Sequence, residues 1–595
     1  MSKINSSNFL DKLSSGYTPY IIISVLVLIA YIKVFNFDFS GLDDKLLLIG
    51  NFDFLKQLSN IPEAFKTDAF IKGLNSPFYR PMQTVVFIIE TQFMGVKPDT
   101  TIYHSMNLIV HIINSILVFV FLKKVQSNNT ISLILSLIFA VNPLFVHSVA
   151  WIPALGDLLV ATFIFASFIN WIDYINKNNN KYLYYSSLLF IAALFSKEVA
   201  AVTPALFILY YYINKTDEFS LNKLKLPFIL WVSSILFYFY MRSGAIKVSY
   251  GDTIYNMDNL MANLPTVFEF ISKFILGAKL SPMADFSTFV TFSGFLILAG
   301  LSFYLYFYKN ADFKIISFGI LWIFFFLVPT LMFKHGLGEH AYSYLEHRAY
   351  LPILGFVFIL VPILSNFLDD EKKNNRKYLL LLLIAFYAFH TYSYSTTYKN
   401  PFTLYGRVIE ENPKSAMAYY NRGVSFRTIG KAEESFRDIN KSLELYPDYL
   451  EALVDRGVAY QQRGEYRLSA KDLERAIKIQ PTNYKAIMTL GVVAGIAHDY
   501  KTAIKLMNRA LSLNNRDIAA LNNRGYTYLL LKDYDKAMAD FSAAININPN
   551  FADAHHNRGN LYYTLGRNDL ACKDWVQAAK FGNAQSAKNL ENLCK

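Results

Sequence analysis

The chain has 595 residues, of which 53% are hydrophobic and only 17% charged, with a formal net charge of +12 at pH 7. A soluble protein carries about 25% charge, so a wholly soluble globular protein is excluded, and 595 residues exceed one domain. The positive charge lies in short loops between apolar runs with no basic stripe among aromatics, which argues against nucleic acid as a partner.

The apolar runs end near residues 397–401, and the remainder has the composition of a soluble helical protein. The first run, 20–35, has no small-residue cleavage site behind it and reads as a signal anchor. A membrane helix needs roughly 17–25 mostly apolar residues. Eleven runs qualify: 18–36, 102–122, 131–149, 154–174, 182–197, 198–214, 226–243, 289–308, 313–333, 348–368 and 377–396. The run 265–281 holds Glu269 and Lys273, and 81–95 holds Glu90; both read as interfacial or juxtamembrane helices. With the N-terminus inside, cytoplasmic loops collect Lys123 and Lys124, Lys177 and Lys181, Lys215, Lys223 and Lys225, Lys309 and Lys314, and Lys372, Lys373, Arg376 and Lys377. The outer loops are poorer in Lys and Arg, as the positive-inside rule requires, and an odd span count puts the tail outside the cytoplasm.

After residue 413 the chain repeats with a period of 34. Pro413, Pro447, Pro481 and Pro549 share the grid, as do Gly423, Gly457, Gly491, Gly525 and Gly559, and Ala476, Ala510, Ala544 and Ala578. This pattern resembles the tetratricopeptide repeat: five helix pairs over 413–582 and a capping helix at 583–594. Stacked pairs bury a shared core and present a concave face to extended peptides or partner proteins. Arg422, Arg456, Arg524 and Arg558 recur just before the glycines. Either they line that face as contacts for an acceptor protein, or they pair with Asp438, Asp472, Asp540 and Asp574; the second is the simpler reading. Cys572 and Cys594, the two cysteines of the chain, read as small apolar residues rather than a pair, although an oxidising compartment would let them join.

The expected chemistry lies in the membrane half. The first outer loop, 36–101, opens with the adjacent acids Asp43 and Asp44. A carboxylate there suits a general base that takes a proton from an attacking hydroxyl; one of the two otherwise caps the next helix. Arg80 and Arg348 suit a phosphate, because a guanidinium grips it with two hydrogen bonds, but each also suits a plain interfacial anchor. Lys197 and Glu198 are adjacent ionisable residues at membrane depth, either functional or a buried structural pair. Asp157 and His147 fall in the second outer loop. His104 and His111 are seven residues apart, too far for i, i+4 chelation, so no protein-bound zinc is expected.

The ordered set of motifs resembles the transmembrane and tetratricopeptide-repeat O-mannosyltransferases, a family of GT-C glycosyltransferases. It comprises Asp43-Asp44, Phe78-Tyr79-Arg80-Pro81, and Tyr103-His104 with Asn107-Leu108 and His111. It continues with Phe139-Ala140-Val141-Asn142-Pro143, His147-Ser148-Val149-Ala150-Trp151, Gly156-Asp157-Leu158-Leu159, Ser196-Lys197-Glu198 and Glu346-His347-Arg348-Ala349-Tyr350-Leu351-Pro352. The resemblance implies an all-α fold: a GT-C membrane domain of about 11 spans (1–397), a linker (398–412) and the repeat solenoid (413–595). It implies a polyprenyl-phosphate sugar as donor, with Asp43 as catalytic base and Asp44 positioning it or sharing that role. Arg80, Arg348 and Lys197 become donor-phosphate contacts, with Glu198, Asp157, His147 and His104 in support. No resident cofactor is implied, although a divalent cation between the acidic pair and the donor phosphate fits some GT-C relatives. The sequence departs from the family at Asn142 and His147, where His and Glu are more usual, and at Gly156-Asp157 in place of a Gly-Arg-like element, which leaves the sugar open.

The expected reaction is transfer of mannose or a similar sugar to Ser or Thr hydroxyls of secreted or envelope proteins. The repeats would hold the acceptor in the periplasm of a bacterial inner-membrane protein, docked beside the export machinery. Two alternatives remain: a membrane-anchored tetratricopeptide scaffold with no enzymatic activity, and a GT-C enzyme acting on lipid or polysaccharide. A transporter is disfavoured, because neither an internal repeat nor a broken-helix pair is apparent in the membrane half.

Overall fold

A computed structural model describes residues 12–71, 76–126, 128–215, 219–246, 257–307, 312–332, 340–369 and 376–594. Among them the fold is all helical, relieved by one isolated antiparallel bridge between Ala284 and Tyr344. The chain divides into two compact units, Met1–Ala418 and Tyr419–Lys595.

The first unit runs through α1 (Thr18–Tyr31), α2 (Pro81–Thr91), α3 (Thr100–Gln126), α4 (Asn129–Ala140), α5 (Leu155–Lys177), α6 (Asn180–Ser196) and α7 (Thr203–Asn214). It continues with α8 (Leu221–Ala245), α9 (Pro265–Leu276), α10 (Thr288–Phe307), α11 (Phe313–Leu331), α12 (Ile353–Asp369), α13 (Arg376–Tyr394) and α14 (Pro401–Glu411). In α1 the sequence is apolar all round, yet only one stripe faces protein: Ile23, Val27, Ala30 and Tyr31 are buried while Ile21, Val25, Leu28 and Ile29 are exposed. Apolar side chains turned outward on a long helix fit a lipid surround.

Among the described residues seven helices are long and apolar enough to cross a membrane, or eight if one bent pair is a single span. The expected eleven are therefore not reached, and the shortfall has local causes. The run 131–149 breaks at Pro143 into helices Asn129–Ala140 and Pro143–Ala150, bent by 47°, a broken-helix pair in the membrane half that the apolar pattern does not show. Pro is tolerated in the first turn of a helix but ends the one before it. Helices α6 and α12 have 17 residues each, and α7 has 12 because residues 198–202 coil as a 3-10 turn. The 12-residue α9 spans only about 18 Å at 1.5 Å per residue, against about 30 Å for a bilayer core.

Glycines let these helices approach closely. A Cβ on Gly319 would lie 2.4 Å from the Gly355 carbonyl oxygen, and one on Gly355 would lie 2.3 Å from that of Gly319. The α11–α12 contact is thus backbone on backbone, the packing that small residues permit in membranes.

The second unit explains its 34-residue grid. Each repeat glycine faces the partner helix of its pair, Gly457 against Leu473, Gly491 against Met507, Gly525 against Phe541 and Gly559 against Trp575, where a Cβ would stand 2.6–2.9 Å from the side chain. Arg422, Arg456, Arg524 and Arg558 each grip the aspartate 16 residues on, both oxygens of Asp438, Asp472, Asp540 and Asp574 being taken. The pairing reading holds, and these guanidiniums are committed inside the repeats rather than offered to an acceptor. In the middle repeat the corresponding positions are Leu490 and Leu506, both buried, so apolar side chains stand where the fork would be.

Cys572 and Cys594 form a disulfide, with Cα atoms 5.8 Å apart, which overturns the reading of two separate apolar residues. It ties the terminal helix Ala584–Leu593 to the last repeat helix Asn568–Lys580. Closing a loop of 22 residues stabilises by about 3 kcal/mol through unfolded-state entropy. Cys572→Ser should accordingly lower the unfolding midpoint of the repeat array, followed by intrinsic Trp575 fluorescence in denaturant; an unchanged midpoint contradicts the stapled cap.

A charged cavity in the membrane unit

Five stretches remote in sequence line one cavity of about 530 Å³: Asp43 from the first loop, Arg80 before α2, Asp157 from α5, Lys197 and Glu198 after α6, and His347 and Arg348 before α12. Apolar walls come from Leu47, Phe70, Phe78, Trp151, Val199, Val202, Pro329 and Leu345. Of the residues singled out in the sequence, the fold thus gathers Asp43, Arg80, Asp157, Lys197, Glu198 and Arg348.

Asp43 and Asp44, indistinguishable in sequence, have different surroundings. Asp44 folds back: its Oδ2 accepts from the Ser40 N–H at 2.6 Å, the Ser40 hydroxyl at 2.7 Å and the Gly41 N–H at 3.2 Å. It holds the preceding turn together rather than capping the π-helical turn Lys45–Ile49 that follows, with which it makes no side-chain cap hydrogen bond. Burial raises the Asp44 carboxyl to about 6, against these hydrogen bonds, and the neighbouring Asp43 charge adds to the rise. Asp43 faces the cavity instead. Burial also pushes its carboxyl above the usual range, and the Arg80 guanidinium pulls it back.

Each cation has its own anchor. Arg80 stays out of the helical region (φ −138°, ψ 57°), as a residue before proline does, and its guanidinium lies 4.7 Å from the centre of the Phe78 ring. Lys197 is extended at the end of α6, with its Nζ 2.6 Å from Asp157 Oδ1. Asp157 lies in the first turn of α5, where a helix favours negative charge.

Arg348 follows Glu346, which is wholly buried and accepts from Lys273 Nζ at 2.8 Å, the Ser281 N–H at 2.9 Å and the Tyr394 hydroxyl at 3.1 Å. Glu269 in the same helix α9 accepts from the Tyr344 hydroxyl and, at 2.6 Å, the Ser287 N–H. The charges that kept 265–281 from reading as a span therefore anchor the loop that carries Arg348.

The remaining candidates lie behind the cavity wall. His147 reaches it only through His347, whose Nδ1 is 3.3 Å from His147 Nε2. His104 is buried in α3 against Phe37, with ring centres 6.0 Å apart, and does not line the cavity. Sequence reasoning gave no role to Gln83, Trp151, Tyr342 or His347. Gln83 donates to the Pro153 carbonyl at 3.0 Å, and a Cβ on Gly156 would stand 2.7 Å from its Oε1. The glycine of the Gly156-Asp157 motif thus makes room for Gln83. His347 adjoins Arg348 in a quoted motif, and Trp151 closes another; those were the signals available.

Fold and cavity together define a helical protein with membrane-length apolar helices, a charged internal cavity and a tetratricopeptide array of the kind that binds proteins. Family profiles described as tetratricopeptide repeat match residues 416–449 and 450–483, and one described as TPR repeat matches 525–566. The human protein O-mannosyl-transferase TMTC3 is 33% identical over 95 residues, 16% of this chain, and the match spans a tenth of that relative's length. Solved structures of repeat proteins align with part of the chain. YrrB, titled a TPR protein with an unusual peptide-binding site, is 24% identical, covering 32% of this chain and 98% of its own, with a TM-score of 0.28. MamA from Desulfovibrio magneticus RS-1 is 19% identical, covering 29% and 96%, with a TM-score of 0.27.

The Lys197–Asp157 pair, 11% and 12% exposed, is testable apart from any activity. Removing one partner of a buried pair leaves the other charge uncompensated, at a cost of about 3–5 kcal/mol, while removing both is far milder. Thermal unfolding in detergent should show Lys197→Met strongly destabilised and Lys197→Met/Asp157→Leu close to wild type. Additive losses would mean the pair is solvated.

Proposed function

We propose that the protein is a membrane glycosyltransferase that moves a sugar, mannose or a similar hexose, from a polyprenyl-phosphate carrier to Ser or Thr hydroxyls of secreted or envelope proteins. One observation carries this reading: Asp43 shares an apolar-walled cavity with Arg80, Lys197 and Arg348. A hydroxyl acceptor needs a base, and a phosphate leaving group needs positive charge.

Asp43 takes the proton from the acceptor hydroxyl as its oxygen attacks the anomeric carbon. The bond between that carbon and the phosphate oxygen breaks, and its electron pair leaves with the polyprenyl phosphate. No external acid is required. Arg80 and Arg348 meet the phosphate oxygens through charged hydrogen bonds, and Lys197, oriented by Asp157, adds a third positive charge. Asp44 acts through the backbone, holding the turn from which Asp43 projects.

The match to the human O-mannosyl-transferase, though partial, favours the same chemistry. The non-cytoplasmic location of the repeats is supported by the Lys-rich loops and by the Cys572–Cys594 bridge, since disulfides persist in oxidising compartments. The parity of the span count carries no weight here, because seven and eight helices give opposite answers. In a bacterial inner membrane the array would lie in the periplasm beside the export machinery, raising the local concentration of unfolded acceptor chains.

The test is transfer of labelled sugar in membranes at matched expression. Asp43→Asn should lose about 10²–10⁴-fold, the typical worth of a general base, and Asp44→Asn distinctly less. A base must be ionised, and burial raises the Asp43 carboxyl. The wild-type rate should therefore fall tenfold per pH unit on an acid limb above the ordinary carboxylate range. Transfer only to lipid or glycan would reassign the acceptor, and no donor consumption under any condition would leave a scaffold.

Three cations line the cavity, so transfer should continue in EDTA. Loss that Mn²⁺ or Mg²⁺ restores would assign part of the phosphate-binding charge to a divalent cation.

A further inference from the structure

The segment that follows the last long helix touches both loops that supply the cavity. Ahead of α14, the Lys399 carbonyl accepts from the Asp38 N–H at 2.9 Å. Gly41, at φ +89°, lies against Pro401, whose ring would be 2.9 Å from a Cβ placed there. Further along, Arg407 Nε donates to the Leu280 carbonyl at 3.1 Å, and the Ser415 hydroxyl donates to the Ala341 carbonyl at 2.8 Å.

These four contacts fall on three stretches that serve two sides of the cavity. Asp38 and Gly41 precede Asp43 in the first. Ala341 opens the loop that carries Arg348, and Leu280 adjoins Ser281, whose N–H holds Glu346. Both loops meet at Tyr342, a cavity residue whose hydroxyl feels the charges of Asp43 and Arg348 together. Helix α14 is itself rigidly made. Asn400 and Thr403 close a capping box at its start, Arg407 reaches Glu411 at 2.9 Å, and Leu404, Tyr405 and Val408 are buried.

A flexible linker has few tertiary bonds and behaves as a chain. The stretch 398–412, read from sequence as a linker, is instead bonded to Asp38 and Leu280 and packed on Gly41, and Ser415 just beyond it is bonded to Ala341. We propose that α14 with its flanking residues Lys399 and Ser415 is a positioning strut for the membrane site: by holding residues 38–41 at one end and residues 280 and 341 at the other, it sets the spacing between Asp43 and Arg348. What that spacing does rests on the transferase reading, in which base and phosphate-binding cation flank one reacting centre. Misplacement by about 1 Å in such a centre costs up to about 100-fold in rate.

The test reads geometry and activity separately. Lys45 and Lys279, both exposed, are replaced by spin-labelled cysteines in the full chain, where the native cysteines are bonded to each other. The distance distribution between the labels is measured by double electron–electron resonance in lipid nanodiscs. Arg407→Ala should broaden the distribution about twofold, Arg407→Lys should restore it, and Arg467→Ala on an exposed repeat position should leave it unchanged. In unlabelled enzyme Arg407→Ala should lower kcat about tenfold, with recovery in Arg407→Lys. A distribution unaffected by Arg407→Ala overturns the strut whatever the transfer assay gives, as does equal broadening by Arg467→Ala. Broadening by Arg407→Ala alone, in a protein whose wild type moves no sugar, upholds the strut and removes the transferase reading.

Discussion

The cost of burying charge shapes the membrane unit. An ion taken from water into a low-dielectric interior loses several kcal/mol, which a close partner offsets only with good geometry. Here the partners come from distant parts of the chain: Lys197 with Asp157, and Lys273 with Glu346. Each pair ties an irregular stretch to a helix. The first orients Lys197 in the cavity, and the second, with the Ser281 N–H and Tyr394 hydroxyl, fixes the turn that bears Arg348. Among the described residues Asp43 makes no ion pair of this kind. It faces a shared space across from Arg80, where a substrate with a phosphate and a hydroxyl would meet both signs of charge.

The repeat unit handles charge differently because its arginines are only partly buried. Four Arg–Asp forks join the two helices of their repeats, and in the middle repeat buried Leu490 and Leu506 stand at the same positions. The substitution shows that the fork is a means of joining helices. The surface offered to partner proteins is then made by other side chains, so the arginine grid does not mark the binding face.

Much of this was legible beforehand because it depends on spacing. Glycines every 34 residues needed only a close helix partner, and Leu473, Met507, Phe541 and Trp575 supply it. The cavity was legible as a set of short motifs, since Asp43, Arg80, Lys197 and Arg348 sit at irregular junctions between helices and Asp157 in the first turn of one. Other features depend on backbone direction, which composition does not carry. Neighbours as alike as Asp43 and Asp44 part company only when one carboxylate turns back to Ser40 and Gly41. The bend at Pro143 and the 3-10 coil at 198–202 shorten helices that an apolar count would pass. The disulfide and the contacts of α14 are tertiary, and their residues are unremarkable along the chain.

The central claim is that this cavity receives a polyprenyl phosphate with its phosphate against the three cations and its sugar toward Asp43. The most direct measurement is a cryo-EM structure in nanodiscs with a non-transferable polyprenyl-phosphate sugar analogue. The account predicts phosphate density within hydrogen-bonding distance of Arg80, Arg348 or Lys197, and the anomeric carbon facing Asp43. An analogue bound elsewhere on the membrane unit, with the cavity holding only solvent, would contradict it.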